Sequence, residues 1–402
     1  MLTPEATWQV LESHLQPLES QTVERQAAVG HILAQDLTAT VDMPPADVSA
    51  MDGYALAGEP RDGRAPVVAV AAAGAPLDRV LQPGEAAKIM TGAVVPEGAD
   101  RVVPVEKTDG GQDTVTVHAV PVDGAHIRRG GEVIRTGDPL IAAGTHLTPG
   151  AISYLASHGY VDVPVHRRPR VAVLPTGNEV IPPDQEPGPG QLRDSNSPFL
   201  RAAGQSLGLE IEPLGIAPDD IDAMRATIAQ GLENDVLLLS GGVSMGDYDF
   251  VEDILEELDC ELLVDAVAIQ PGKPFVAARQ RSNGRWVFGL PGNPASVMVT
   301  FWIFVRPVLR RLAGMAEDGF WHGALDGELA APLPKGKDRD RFLPAEVEFR
   351  QGKLFVTPRA PQGSHDVACY SGGSALVRIY PEVPAANPGD PCSILPLVDW
   401  AR

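Results

Sequence analysis

Through the middle of the chain, short runs of consecutive aliphatic residues alternate with stretches whose apolar positions recur every three or four residues. Val171-Ala172-Val173-Leu174, Val236-Leu237-Leu238-Leu239 and Trp286-Val287-Phe288-Gly289-Leu290 read as strands buried on both faces. Helical spacing predicts helices over about 198–207, 220–231, 250–258 and 294–312, with one more strand over about 210–216. Strand and helix in alternation are the rhythm of a doubly wound α/β unit. Outside it, Thr7 to Leu15, Glu24 to Leu37 and Pro149 to His158 carry helix-like spacing. From Met43 to about Arg135, runs such as Val67–Val70 and Val115–Val117 alternate with glycines and prolines, which predicts a small, mostly β module. After about residue 316, short strands that include Phe342 to Phe349 and Leu354 to Pro358 predict a terminal β-barrel or sandwich.

Three of the buried strands run directly into glycine-containing turns. These are Pro175-Thr176-Gly177-Asn178-Glu179, Ser240-Gly241-Gly242-Val243-Ser244 continuing through Asp247 to Asp249, and Pro291-Gly292-Asn293-Pro294. In one parallel sheet such turns lie along one edge, where ligands of open α/β sheets bind. Asn293 reads as a helix N-cap and Pro294 as the first helical residue, so the free N–H groups there suit an anion. Asp249 either caps the following helix or, with Glu179, holds a hard cation beside a phosphate. Arg193 and Asp194 precede another helix start and are expected to contact a nucleotide or phosphate there.

Composition narrows the ligands. With 53 acidic against 32 basic residues and a net charge of −21, a nucleic-acid backbone is excluded as a partner, and an anionic substrate must find local cations. No apolar stretch approaches membrane-span length and no signal-like segment opens the chain, so a cytoplasmic protein is expected. Cys260, Cys369 and Cys392 lack metal-site spacing and argue against disulfides or structural zinc. Lys273, between Gly272 and Pro274, is a point charge on a stiff turn; Arg339 and Arg341 offer planar forks to an oxyanion or form a solvated strand edge.

The motifs Ser49-Ala50-Met51-Asp52-Gly53-Tyr54-Ala55, Met90-Thr91-Gly92-Ala93, Thr176-Gly177-Asn178-Glu179, Gly241-Gly242-Val243-Ser244, Pro271-Gly272-Lys273-Pro274 and Gly289-Leu290-Pro291-Gly292-Asn293-Pro294 follow one another as they do in the MoeA family. The chain resembles these molybdopterin molybdotransferases, relatives of the carboxy-terminal domain of gephyrin, over nearly its whole length. The resemblance implies an α/β multidomain protein with a three-layer, doubly wound core. An elongated N-terminal region (1–43 and 136–165) would link a small β-rich domain (44–135), the core (166–315) and a C-terminal β-barrel (316–402).

The activity implied is insertion of molybdate into adenylylated molybdopterin with release of AMP, aided by Mg2+. It would take place in a homodimer in which the Asp52 and Thr91 module of one subunit faces the α/β cleft of the other. Asp52, Thr91, Glu179, Asp249 and Lys273 are then the expected catalytic residues, with Glu179 and Asp249 as metal ligands. Arg193, Asp194, Asp219, Ser240, Gly241, Gly242, Ser244, Asp247, Pro291, Gly292, Asn293, Pro274, Arg339 and Ser364 are expected to bind the cofactor precursor or the oxyanion. By pattern alone Asp219 is an ordinary N-cap, Asp247 a helix-terminus charge, and Asp52 and Thr91 turn residues.

Two positions depart from the family: Gln270 stands where many members carry a second lysine, and Val133 where an aspartate is common. Two other functions share the pattern. One is the molybdopterin adenylyltransferase activity of the preceding step, whose enzymes lack the Ser49–Ala55 module and are also a candidate partner; the other is a non-catalytic molybdopterin-binding scaffold.

Overall fold

The structure, a computed structural model, describes residues 1–242, 251–316 and 319–397, so Ser244, Asp247 and Asp249 lie outside the described residues. Its centre is a six-stranded sheet in the spatial order Ile211–Pro213, Val171–Pro175, Val236–Ser240, Trp286–Leu290, Val276–Gln280, Cys260–Val264. The first four strands are parallel, and Val276–Gln280 runs antiparallel to both of its neighbours, Trp286–Leu290 and Cys260–Val264. Because side chains alternate along a strand, the aliphatic runs supply two cores at once. Val171, Val173, Val236, Leu238 and Phe288 pack under the helix Asn196–Ser206 and the helical stretch from Pro294 to Leu312. Ala172, Leu174, Leu237, Leu239 and Val287 pack under Ile221–Gly231 and Val251–Glu257. Helices on both faces give the three layers expected of the core.

The long C-terminal helix of the core is interrupted by a π-turn at Phe301–Val305, immediately before Arg306-Pro307. Proline cannot donate to the preceding turn, and the wider turn absorbs the missing bond.

The five-stranded sheet of the small module runs Arg101–Pro104, Gly53–Leu56, Ala86–Ile89, Arg64–Ala71, Thr114–Thr116. At the other end of the chain, Asp340–Arg350, Lys353–Pro358, Leu325–Leu329, Pro391–Pro396 and Ala375–Ile379 pair in sequence around a closed barrel, since Asp340–Arg350 also pairs with Ala375–Ile379. The short strand Ile269–Gln270 joins this barrel in parallel with Asp340 and Arg341, stitching the turn that carries Lys273 to the C-terminal domain.

One expected helix is absent. Glu24 to Leu37 forms the end of the strand Ser20–Glu24, a 3-10 turn at Arg25–Ala28 and an irregular path through Gly30 at φ 76°. Its apolar residues Ala28, Leu33 and Leu37 meet Leu147, Leu155 and Val163 in a small core of their own, so their three- and four-residue spacing reflects packing by an irregular chain. The helix Pro149–Ser157 stands where the pattern places it, and Pro4–Glu12 begins and ends three residues before the expected Thr7 to Leu15.

Candidate active site

The parallel register brings Pro175, Ser240 and Leu290 into one row, so the three glycine turns leave the sheet side by side. They are laced together by their main chains: Thr176 N–H donates to the Ser240 carbonyl at 3.0 Å and Gly241 N–H to the Leu290 carbonyl at 3.0 Å. Gly241 requires its residue type. At φ 99°, an added Cβ would lie 2.9 Å from the Thr176 carbonyl oxygen.

These turns wall a cavity of about 680 Å3 lined by Glu179, Arg193, Asp194, Asp219, Ser240, Gly241, Gly242, Gly292 and Asn293, together with Thr176, Asn196 and His365. Glycine backbone, helix starts and carboxylates on one rim suit a phosphate and a hard cation. The Thr176 hydroxyl and the Asn196 side-chain oxygen are buried there without a hydrogen-bond partner among the described residues. Pro291 is buried behind the turn and does not line this cavity.

Individual roles differ from the pattern. Asp219 is not the cap of its helix: Asp220 takes that place, accepting from Ala223 N–H at 2.8 Å. Asp219 instead exchanges hydrogen bonds with Asn178, each N–H reaching the other's side-chain oxygen at 3.2 Å, which fixes the turn that presents Glu179. Asp194 accepts from the N–H groups of Asn196 and Ser197, both at 3.0 Å, and so caps its helix. Arg193 donates to the Gln185 carbonyl and to Glu186, both at 2.9 Å, within its own loop. Asn293 occupies the N-cap position with Pro294 after it, but its side chain makes no capping bond. Asn196, which the sequence pattern did not single out, ties the site together. Its amide donates to Ser240 Oγ and to the Gly292 carbonyl, both at 2.8 Å.

A second cavity, of about 690 Å3, lies between the core and the barrel. Lys273, Pro274, Arg339 and Ser364 line it, with Gln270, Lys337, Arg341, Arg359 and Tyr370. Asp338 is the one acid on its described wall, and Arg339 is turned toward it in an ion pair at 2.5 Å. Gly272, at φ 107°, sets the direction of Lys273; a Cβ there would lie 2.6 Å from Thr300 Cγ2. The two cavities share a wall. Ser364 lines one and His365 the other, Ser296 and Pro294 do likewise, and Ala295 N–H donates to the Ser364 carbonyl at 3.1 Å.

Asp52 and Thr91 are brought together but not to these cavities. The loops that hold them are joined by Gly92 N–H donating to the Ser49 carbonyl at 2.8 Å, and Thr91 N–H donates to Asp52 Oδ1 at 2.7 Å. The main-chain N–H and the hydroxyl of Thr91 hold the Asp52 carboxyl below its ordinary range, so it is an exposed anion on the small module. Val133 is also exposed.

Among the described residues no group of three or more acidic, histidine or cysteine side chains forms a metal centre, and no helix is long and apolar enough to cross a membrane.

Comparison with known proteins agrees along the chain. The MoeA N-terminal region (domain I and II) matches residues 2–159, a probable molybdopterin binding domain matches 172–311, and the MoeA C-terminal region (domain IV) matches 326–397. A molybdopterin molybdenumtransferase of Nostoc sp. is 41% identical over 308 residues, 74% of this chain and 71% of that protein. One from Staphylococcus aureus is 32% identical over 366 residues, 89% of this chain and 86% of that protein. A crystal structure of a molybdopterin biosynthesis MoeA protein from Pyrococcus horikoshii superposes with a TM-score of 0.84 at 30% identity, covering 100% of both chains. With all three regions present in order and the whole fold shared, the chain belongs to the MoeA family of molybdopterin molybdenumtransferases, enzymes of molybdenum cofactor biosynthesis.

Proposed function

We propose that this enzyme takes adenylylated molybdopterin, cleaves its pyrophosphate link and inserts molybdate, releasing AMP. The observation that carries this reading is the pair of cavities on either side of the Ser364–His365 segment. One has the glycine turns and carboxylates that suit a pyrophosphate, the other the cations that suit a tetrahedral dianion. Cleavage adds one water across the P–O–P bond, leaving AMP on one side and the pterin's own phosphate on the other. The dithiolene is unchanged by that cleavage; its two sulfurs then bind the molybdenum of an oxyanion held by Lys273 and Ser364, and one oxo group leaves as water with the two thiol protons, molybdenum staying hexavalent.

Mg2+ fits the first cavity. The Glu179 carboxylate has no hydrogen-bond partner among the described residues, and Asp219 keeps one oxygen free beyond its bond to Asn178. Glu179 would hold the ion with Asp249, which lies outside the described residues, and the ion would neutralise charge on the pyrophosphate. The cleft's own groups orient the substrate: the backbone N–H groups of Gly242 and Asn293 on the cavity wall would meet its phosphates, and Asp194 and Asn196 keep the adjacent helix start in place.

The working unit in this reading is a cytoplasmic homodimer. Asp52 and Thr91 form a hydrogen-bonded pair that lines neither of the two cavities among the described residues, which supports their acting on a partner's cleft. A molybdopterin adenylyltransferase would deliver the substrate. The test is to incubate the purified protein with adenylylated molybdopterin and molybdate, with Mg2+ or with a chelator. AMP release that requires Mg2+ is expected; equal release in the chelator would remove the metal from the reading, and no release would overturn it.

A further inference from the structure

We infer that Arg341 supplies the second positive charge for the oxyanion, taking over from the neighbouring strand the place that Gln270 leaves neutral; this rests on the reading of the Lys273 cavity as the molybdate site. In the parallel pairing of Ile269–Gln270 with Asp340–Arg341, Gln270 and Arg341 are direct register partners, so the guanidinium rises from the position beside the Gln270-Pro271-Gly272-Lys273 turn. Strand alternation separates it from the acid next to it. Asp340 is buried on the opposite face, where Arg378 Nε donates to it at 2.6 Å, while Arg339 and Arg341 line the cavity.

The cations of this cavity are not equivalent. Arg339 is in an ion pair with Asp338, and Arg359 donates through Nε to Glu346 at 3.0 Å. Arg341 has no ion-pair partner among the described residues, and its Nε is buried without a hydrogen-bond partner. Lys337 is exposed and stands beside the same Asp338, whose carboxyl it helps hold down. Arg341 lines the cavity without an ion pair among the described residues, and a tetrahedral dianion offers two oxygens to the planar fork of its terminal N–H groups. Lys273 then contributes the point charge and Arg341 the directional bond, which makes Arg341 rather than Arg339 the principal fork.

Equilibrium dialysis against labelled molybdate at fixed ionic strength tests the assignment, with thermal melts to verify folding. Arg341→Gln should weaken molybdate about tenfold to a hundredfold, Arg341→Lys less, and Arg339→Gln less than Arg341→Gln. The two neighbours should also be coupled. Gln270→Lys in the otherwise native chain places a lysine beside Arg341 and should improve binding little, whereas in the Arg341→Gln background it should recover most of the loss. If Arg341→Gln does not fold, Arg341→Lys and Gln270→Lys carry the test: a clear gain from Gln270→Lys alone, or native affinity in Arg341→Lys, would overturn it. Native affinity in Arg341→Gln with loss in Lys273→Ala would overturn the role of Arg341 and leave the cavity as the oxyanion site. Native affinity in both would overturn the cavity itself.

Discussion

The Asn196 side-chain amide donates to Ser240 Oγ at 2.8 Å and at the same distance to the Gly292 carbonyl, so one buried residue holds two of the three glycine turns at a common spacing. Asn196→Ala leaves both acceptors unsatisfied and should cost about 1–3 kcal/mol of stability. It should also raise the KM for adenylylated molybdopterin, because the phosphate-facing turns lose their brace. Chemical denaturation and steady-state kinetics check the two effects; native values in both would make Asn196 a bystander.

The direction of Lys273 depends on Gly272. Its left-handed φ of 107° and the 2.6 Å approach of any Cβ to Thr300 mean that Gly272→Ala must move the turn or the helix behind it. A loss of about 1–3 kcal/mol in stability is expected, with molybdate dependence shifted to higher concentration although no charge has been removed. An unchanged molybdate dependence would separate Lys273 from the oxyanion.

Asp52 and Thr91 provide the test of a composite site. Asp52→Ala and Glu179→Gln are each expected to abolish turnover as single variants. Mixed after subunit exchange, they should recover up to about a quarter to a half of dimer-normalised activity in heterodimers that keep one intact site. No recovery after exchange has been verified by mass spectrometry would mean that each site is built within one chain.

A pH dependence follows from Asp235, at the start of a core strand. Arg167 donates to its two oxygens at 2.6 and 2.8 Å, and Arg170 N–H at 2.7 Å. Burial opposes the charge, but the Arg167 fork and the Arg170 N–H overcome it and hold the carboxyl below its ordinary value of 3.8. A depressed carboxyl stabilises the fold fully above the unfolded value, and this contribution is lost as pH falls from about 3.8 through the folded value. Asp235→Asn should therefore cost about 3 kcal/mol at neutral pH and flatten the stability profile in that acid range, as measured by urea unfolding at a series of pH values.

The parallel half of the core was legible because strands buried on both faces must be continuously apolar, and those of 171–174, 236–239 and 286–290 are. The antiparallel strands Cys260–Val264 and Val276–Gln280 were missed. Glu261 in the first and Ala277, Ala278, Arg279 and Gln280 in the second carry weak strand preference, and pairing with the rest of the sheet overrides it. At the site, a glycine turn after a buried strand is a local signal, and it located most of the first cavity. Whether Asp219 or Asp220 caps the helix depends on a partner distant in sequence, Asn178, and the place of Arg341 beside the Lys273 turn on pairing with Gln270; the ion pair that sets Arg339 apart from Arg341 is with its own neighbour, Asp338. Asn196 carries no motif of its own, since its acceptors come from two turns more than forty residues away.

The most direct measurement is single-turnover transfer of labelled molybdate. Purified protein is loaded with adenylylated molybdopterin and Mg2+, then given labelled molybdate, and AMP and pterin-bound molybdenum are counted together. The account predicts one AMP released for each molybdenum retained by the pterin, with both reduced in Glu179→Gln and with retention reduced more than AMP at low molybdate in Arg341→Gln. AMP release with no molybdenum on the pterin at saturating molybdate would contradict it.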